Sequence, residues 1–168
     1  KQYMDSQETM IQTLQRIPWF LELSFSQIEA LSKIASIRTL NQGEILFSEG
    51  DSEDCLYIIL EGQAAVEAHI PSRGLVFLYN ADPLDIIGWS VLTPVIRQRT
   101  ATVRATADIR FLCFNSQILR QMCELDHDFG FIIMRRIANV VSSRLLSTRL
   151  QLFEILRQTD NQTQSTQR

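Results

Sequence analysis

Apolar residues recur at helical spacing near both ends of the chain and in short β-rich runs in its middle. Near the N-terminus the helical pattern is interrupted at Pro18, because proline lacks the N–H group that a helix needs. A second amphipathic stretch, which Ser24 or Ser26 can cap, runs through Ala35. The pattern therefore predicts an N-terminal helical segment over residues 1–35.

The segment 36–115 carries eight short β-rich runs separated by turn residues. Gly43, Gly50 and Gly62 stand where tight hairpins require a positive φ angle. Regularly punctuated short strands favour a closed roll over an open sheet with crossover helices. We predict an α+β fold built on an eight-stranded antiparallel β-roll, also called a jelly roll or double-stranded β-helix. The runs cover residues 37–40, 45–47, 56–60, 64–68, 75–79, 85–88, 100–105 and 109–114.

Helical spacing returns after Asn115 or Ser116, either of which can cap a helix. A short helix and then a long one, over about 128–157, are predicted to fill residues 116–158. Thirty helical residues extend about 45 Å, which is longer than the predicted roll is wide. Part of the apolar face of this helix must therefore meet another chain or another domain. The polar residues 159–168 have nothing to bury, and we expect a disordered tail there.

Composition excludes several classes of function. The 168 residues are 45% hydrophobic and 21% charged, as in one soluble globular domain with an appendage. The net charge of −3 lacks the basic excess that duplex DNA or an anionic membrane attracts. No apolar stretch approaches the roughly 20 residues of a membrane span. We expect neither direct DNA binding nor membrane insertion.

The cysteines and histidines point away from catalysis. Cys55, Cys113 and Cys123 form neither a metal-binding pair nor a disulfide framework, so we interpret them as reduced thiols of a cytoplasmic protein. His69 and His127 are too few for a cupin-type metal centre, and no nucleophile–base pattern is present. We predict a protein that is not an enzyme and that holds no metal.

Three stretches resemble the cyclic nucleotide-binding domain family, which includes bacterial catabolite activators and regulatory subunits of cyclic-AMP-dependent kinase. The runs QGEILFSEGD at 42–51 and LYIILEG at 56–62 are similar to its opening strands. Residues from about 85 to 103 are similar to its phosphate-binding cassette. The resemblance covers roughly residues 17–156. It implies an N-terminal helical element, the eight-stranded roll, a hinge helix and a long helix C that often dimerises.

The resemblance also implies a ligand site. Arg99 matches the family's arginine that binds the ligand phosphate, and Thr100 and Ala101 match the donors that follow it. Gly88 matches the glycine at which the backbone passes close beneath the ligand. A guanidinium and backbone N–H groups at the start of a short helix suit a compact phosphate, and Pro94 would end that helix. The alternative is that Arg99 is a surface arginine on a strand edge. The implied site residues are Gly88, Trp89, Ser90, Arg99, Thr100 and Ala101.

Trp89 departs from the family pattern. Cyclic nucleotide binders place a Glu directly after the glycine, where it accepts a hydrogen bond from the ribose 2′-OH. Losing a hydrogen bond to a charged group, worth about 1.5–3 kcal/mol, weakens ribose binding roughly 10- to 150-fold. Three alternatives for the indole stay open: it stacks on a base, it fills the ribose space, or it belongs to the core. We expect a cyclic nucleotide or another phosphate-containing anion as ligand, but not ordinary cyclic AMP binding.

An ungapped register from Arg99 into helix C gives the candidate base contacts Val140, Arg144 and Leu145. Arg144 and Leu145 stand where the catabolite activator carries its adenine-contacting hydroxyls. An arginine there suits a second phosphate or a carboxylate, and the alternative is a solvated charge on the helix.

These observations predict a non-catalytic, ligand-sensing regulatory domain that forms a homodimer through helix C. The first alternative is a degenerate roll that serves as a dimerisation or docking scaffold without a ligand. The second is the regulatory fragment of a larger signalling protein, such as a transporter, kinase or transcription factor. Because the chain ends in Gln- and Thr-rich sequence rather than a helix-turn-helix, we expect no direct DNA binding from it.

Overall fold

Helices precede and follow the strands, as the sequence pattern predicts. The structure, a computed structural model, describes residues 2–52, 55–93 and 98–166, and the side chains of residues 9–158 within those ranges. The helices are α1 (Gln2–Gln15), α2 (Phe25–Ile34), α3 (Ser116–Leu125) and α4 (His127–Thr166). Short 3₁₀ turns cover Pro18–Phe20 and Trp89–Leu92, and the second is called the 89–92 turn below.

The described residues form eight strands in two four-stranded antiparallel sheets, which confirms the predicted β-roll. The first sheet has the order β1-β8-β3-β6, and the second has the order β2-β7-β4-β5. The strands are β1 (Ala35–Leu40), β2 (Ile45–Phe47), β3 (Cys55–Glu61), β4 (Ala64–Ile70), β5 (Gly74–Ala81), β6 (Ile86–Ile87), β7 (Thr102–Ala105) and β8 (Ile109–Asn115).

Three strand boundaries differ from the sequence prediction for local reasons. Ala35 ends the predicted second helix in sequence, but it pairs with Phe114 and begins β1. Strand β6 stops before Gly88, whose φ of 73° and ψ of 27° lie in the left-handed region that no strand residue adopts. Thr100 and Ala101 form a bend, and β7 begins after them.

The core lies on the inner faces of the two sheets. One buried cluster comprises Ile59, Ala64, Val66, Ala81, Ile87 and Val103. A second comprises Ala105, Ile109, Phe111 and Cys113. Since burial of one large apolar side chain contributes about 1.5–3 kcal/mol, these clusters provide the main driving force for closing the roll.

Side-chain caps define where the helices begin. Ser24 caps α2 in a capping box with Gln27, and Asn115 caps α3 by accepting from the N–H of Ile118 at 3.0 Å. Both are among the caps that the sequence predicts. The Asp126 carboxylate accepts from the N–H of Phe129 at 2.9 Å and from the Gln27 amide at 2.8 Å. The Gln27 hydrogen bond lowers the pKa of Asp126.

Helix α4 extends beyond its predicted end. The backbone is helical through Thr166, where the sequence predicts a disordered tail from residue 159. Gln and Thr do not break a helix as Gly and Pro do, so an established helix can continue through them at low cost. The chain divides into two compact units, residues 1–132 and 133–168. Among the described residues, no helix is both long enough and apolar enough to cross a membrane.

The predicted turn glycines adopt positive φ angles, which are 90° at Gly43, 88° at Gly50 and 84° at Gly62. Their surroundings differ. A Cβ atom at Gly43 would meet nothing within 4 Å, whereas one at Gly62 would collide with the carbonyl oxygen of Asp108. Gly62 is therefore required both for its backbone angle and for its closeness to the β7–β8 turn.

We expect Gly62→Ala to destabilise the fold more than Gly43→Ala. Both substitutions place a Cβ in the left-handed region at a cost of about 1–2 kcal/mol. Gly62→Ala adds an overlap with a backbone oxygen, for which a further cost of about 1–3 kcal/mol is expected. Urea unfolding of both variants measures the difference in the free energy of unfolding. Equal losses would contradict the close packing at Gly62.

Candidate functional site

Arg99 lies inside the protein rather than on its surface. Its exposed fraction is only 3%, so the alternative of a surface arginine on a strand edge is wrong. The backbone of Arg99 is fixed by the β2–β3 turn: its N–H donates to Asp51 O at 2.9 Å, and its carbonyl accepts from Gly50 N at 2.9 Å. This pairing holds the side chain toward the interior.

The guanidinium of Arg99 is bound by backbone carbonyls. Nη2 donates to Cys55 O at 2.7 Å, and Nη1 donates to Gly88 O at 3.3 Å. A guanidinium carries five N–H donors, so these two bonds leave three that have no acceptor among the described residues. Nε is buried without a hydrogen-bond partner. None of the ion pairs between described residues includes Arg99.

Two aromatic rings lie against the cation. Arg99 Cζ is 4.2 Å from the centroid of the Phe47 ring and 5.5 Å from that of Tyr57. The two rings stack on each other at 5.9 Å, and Phe111 meets the Tyr57 ring edge-on at 5.7 Å. Burial raises the pKa of Tyr57 to about 12, so its phenol stays neutral at physiological pH. Each ring therefore stabilises the charge through its π face, by about 0.5–2 kcal/mol.

The sequence prediction did not include these aromatic residues or the Cys55 carbonyl among the site residues. Phe47 lies in the motif at 42–51 and Tyr57 in the motif at 56–62, and both motifs carry the family resemblance. Neither residue was assigned to the ligand site. Both rings are partly buried and pack against the first core cluster. Which core residues would contact Arg99 depends on the register between distant strands, and a single sequence gives no measure of that register.

Gly88 is in direct contact with Arg99. A Cβ atom at this position would overlap Arg99 Nη1, so a side chain here would require the guanidinium to shift, and the φ of 73° favours glycine independently. Its carbonyl also accepts from Val91 N at 3.3 Å, which starts the 89–92 turn. The structure thus shows a close contact of Gly88 with the arginine, and its predicted close approach to a ligand stays a prediction.

The other predicted cassette residues differ in how far they are buried. Ser90 is buried, and Trp89 is only partly buried, so its indole is not a fully enclosed core side chain. Thr100 is exposed, and Ala101 packs against the first core cluster. Pro94 lies outside the described residues. The structure thus joins Gly88 to Arg99 and leaves the roles of Trp89, Thr100 and Ala101 as predictions.

Val140, Arg144 and Leu145 lie on α4 within the unit formed by residues 133–168. Val140 and Arg144 are partly buried, whereas 61% of Leu145 is exposed. Their contact with a base stays a prediction.

Cys113 and Cys123 do not supply a reactive thiolate. Burial raises the pKa of Cys113 to about 12 and that of Cys123 to about 11. The neighbouring Cys55 also raises the pKa of Cys113, and all three cysteines are free. Neutral thiols are poor nucleophiles. Among the described residues, no group of three His, Cys, Asp or Glu side chains is arranged to hold a metal ion.

Comparison with known proteins places this geometry in a family. The model of the cyclic nucleotide-binding domain matches residues 37–126. A Rhodopseudomonas palustris protein named as a potassium channel is 27% identical over 130 residues, which are 77% of this chain and 30% of that protein. The chain therefore spans about a third of the length of this relative.

Solved structures agree in fold. A Geobacter metallireducens protein described as cyclic nucleotide-binding is similar with a TM-score of 0.71 and 25% identity, over 80% of this chain and 96% of that one. The N-terminal domain of a Streptomyces coelicolor transcriptional regulator is similar with a TM-score of 0.62 and 29% identity, over 80% of this chain and 93% of that one. The roll with its flanking helices is thus shared with sensor and regulatory domains.

Proposed function

Because the chain belongs to the cyclic nucleotide-binding domain family, we propose that it is a non-catalytic regulatory domain that senses a small phosphate-containing anion at Arg99. One observation carries this proposal. Arg99 is 3% exposed, and its charge is met only by two carbonyl oxygens and two rings of the described chain. A buried charge without a counter-ion costs several kcal/mol, so an arriving anion gains that energy on binding.

The arrangement of donors fits a phosphate. Three N–H groups of Arg99 have no acceptor within residues 2–52, 55–93 and 98–166, and a guanidinium presents its donors in a plane that matches two phosphate oxygens. The bond from Nη1 to Gly88 O is 3.3 Å long, which is weak for a charged donor, and a phosphate oxygen is a stronger acceptor. Since Arg99 is only 3% exposed, binding of an anion requires a local opening of the structure around it.

Trp89 restricts which phosphate-containing anions the site would bind. It stands where a ribose carboxylate is expected from the family, and an indole accepts no hydrogen bond from a 2′-OH. We therefore propose a cyclic nucleotide other than ordinary cyclic AMP, or another phosphate-containing anion. We also propose a cytoplasmic location for the protein, because its three cysteines are free thiols. Since the chain covers only part of its channel relative, we propose that it serves as a regulatory segment of a larger signalling protein.

A second candidate function is a scaffold that forms a homodimer through α4. It is favoured by apolar residues that recur along this helix at alternating spacings of three and four, as in a coiled-coil seam. Exposed members include Phe131, Met134, Leu145, Leu152 and Ile155. The full seam is Phe131, Met134, Ala138, Val141, Leu145, Thr148, Leu152 and Ile155.

Anion binding should depend on Arg99. Calorimetric titration with cyclic AMP, cyclic GMP, cyclic dinucleotides, nucleoside phosphates and inorganic phosphate is expected to give heat with at least one of them. Arg99→Gln should weaken that binding roughly 10-fold or more, because a charge-assisted hydrogen bond is lost. Arg104→Gln is the matched control, since Arg104 is paired with Glu67 on the second sheet. Absence of heat with every anion would refute the sensing function.

Trp89→Glu tests the ribose position separately. A restored carboxylate should raise the affinity for cyclic AMP roughly 10- to 150-fold if the rest of the cassette is complete. The same titration measures this change, with Trp89→Gln as the uncharged control. An unchanged affinity in both variants would mean that Trp89 does not occupy the ribose position.

If the homodimer forms through α4, only substitutions in the seam should dissociate it. The wild-type chain should be a dimer by light scattering, and Leu145→Glu should shift it to monomer because a carboxylate is placed in an apolar contact. Leu150→Glu is a matched control off the seam, since 59% of Leu150 and 61% of Leu145 are exposed. A monomeric wild type, or equal dissociation by both variants, would exclude this interface.

A further inference from the structure

Two of the free cysteines lie close together on neighbouring strands of the first sheet. In the pairing of β3 with β8, Tyr57 is directly opposite Cys113, and Cys55 precedes Tyr57 by two positions. Because side chains alternate along a strand, both cysteines lie on the same face of the sheet. Cys55 packs against the second core cluster, to which Cys113 belongs. The fold thus brings two thiols together inside the roll.

The two thiols differ in how an oxidant can reach them. Cys113 is only 3% exposed, whereas Cys55 is partly buried and is the first residue of its strand. A small oxidant such as hydrogen peroxide therefore reaches Cys55 first. Cys113 can then react with the oxidised Cys55 sulfur without leaving the core. An accessible sulfur beside a protected one is the arrangement of a pair that closes to a disulfide before it is oxidised further.

The backbone of Cys55 is attached to the Arg99 guanidinium. Cys55 O accepts from Arg99 Nη2 at 2.7 Å, the shorter of the two bonds that this guanidinium donates to described residues. Cα atoms at offset positions of antiparallel strands are about 7–8 Å apart, whereas a disulfide joins Cα atoms about 4.4–6.8 Å apart. Closing a disulfide therefore draws the Cys55 backbone toward Cys113. Because a hydrogen bond weakens as its geometry changes, this movement weakens the bond to Arg99.

We propose that Cys55 and Cys113 form a reversible disulfide, closed by peroxide or by a small-molecule disulfide, and that its formation weakens the bond between Cys55 O and Arg99. With peroxide, the Cys55 sulfur attacks one oxygen, so an S–O bond forms, the O–O bond breaks and water leaves. The Cys113 sulfur then attacks the Cys55 sulfur, so an S–S bond forms and the S–O bond breaks. The hydroxyl group leaves with the Cys113 proton as a second water. The sulfurs are oxidised, and the peroxide is reduced.

Contact between the thiols makes the second step possible. The Cys113 thiol is neutral, and a neutral thiol is a poor nucleophile when it must first meet its target in solution. Here Cys113 is held beside Cys55, so the step is intramolecular and the effective concentration of the thiol is raised by orders of magnitude. The rate of disulfide formation should therefore not depend on the protein concentration.

Mass spectrometry of the full chain tests the pairing. After peroxide treatment of the folded protein and alkylation without reduction, we expect a link between the peptides that contain Cys55 and Cys113, and an alkylated Cys123. Cys55→Ser and Cys113→Ser should each abolish the link, whereas Cys123→Ser, the matched control, should keep it. Dithiothreitol should restore the thiols. A sulfinic acid at Cys55 while Cys113 keeps its thiol, or a link to Cys123, would overturn the proposal.

The link to Arg99 is measured with the same disulfide at equilibrium in glutathione buffers. Since closure weakens the bond from Arg99, Arg99→Met, an unbranched side chain without donors, should favour the disulfide roughly two- to tenfold over wild type. Arg104→Met is the matched control, because Arg104 is paired with Glu67 on the second sheet, and it should leave the equilibrium unchanged. Equal equilibria in wild type and Arg99→Met would refute the link. Neither measurement uses an anion, so a negative result leaves the proposed sensing function standing.

Discussion

The burial of the Arg99 guanidinium, which forms no ion pair with any other residue that the structure describes, is the constraint around which this domain is arranged. The Arg99 guanidinium lies between the ring of Phe47 and the carbonyls of Cys55 and Gly88, so it connects β2, β3 and the start of the 89–92 turn. Each contact lowers the cost of burial, but none of them neutralises the charge. Within the part of the chain that the structure describes, the fold thus holds a buried cation whose contacts are all with uncharged groups.

Most of the architecture could be predicted from local sequence. Strand spacing and turn glycines located eight strands, because a period of two and a positive φ are properties of short segments. The caps Ser24 and Asn115 were readable for the same reason. Errors occurred where a distant partner decides the outcome, as at Ala35, which joins β1 because Phe114 lies opposite it.

The site was predictable only in part. Arg99 and Gly88 were singled out by their match to a family motif, and the structure places them in contact. Sequence could not distinguish an inward arginine from a surface one, since that depends on a turn around Gly50 and Asp51 pairing with the Arg99 backbone. The ring stack of Phe47 and Tyr57 could not be predicted for a related reason. Strand alternation indicates the side of the sheet on which a side chain lies, but not which residues it contacts across the roll.

The overlap that any side chain at residue 88 would have with Arg99 Nη1 links these two positions in evolution. A lineage that replaced Gly88 would have to move the arginine, whereas a lineage that lost the arginine would still favour glycine at residue 88 because of its φ of 73°. Loss of the glycine should therefore be accompanied by loss of the arginine more often than the reverse. Their joint presence in an uncharacterised sequence is more informative about an intact cation site than the arginine alone.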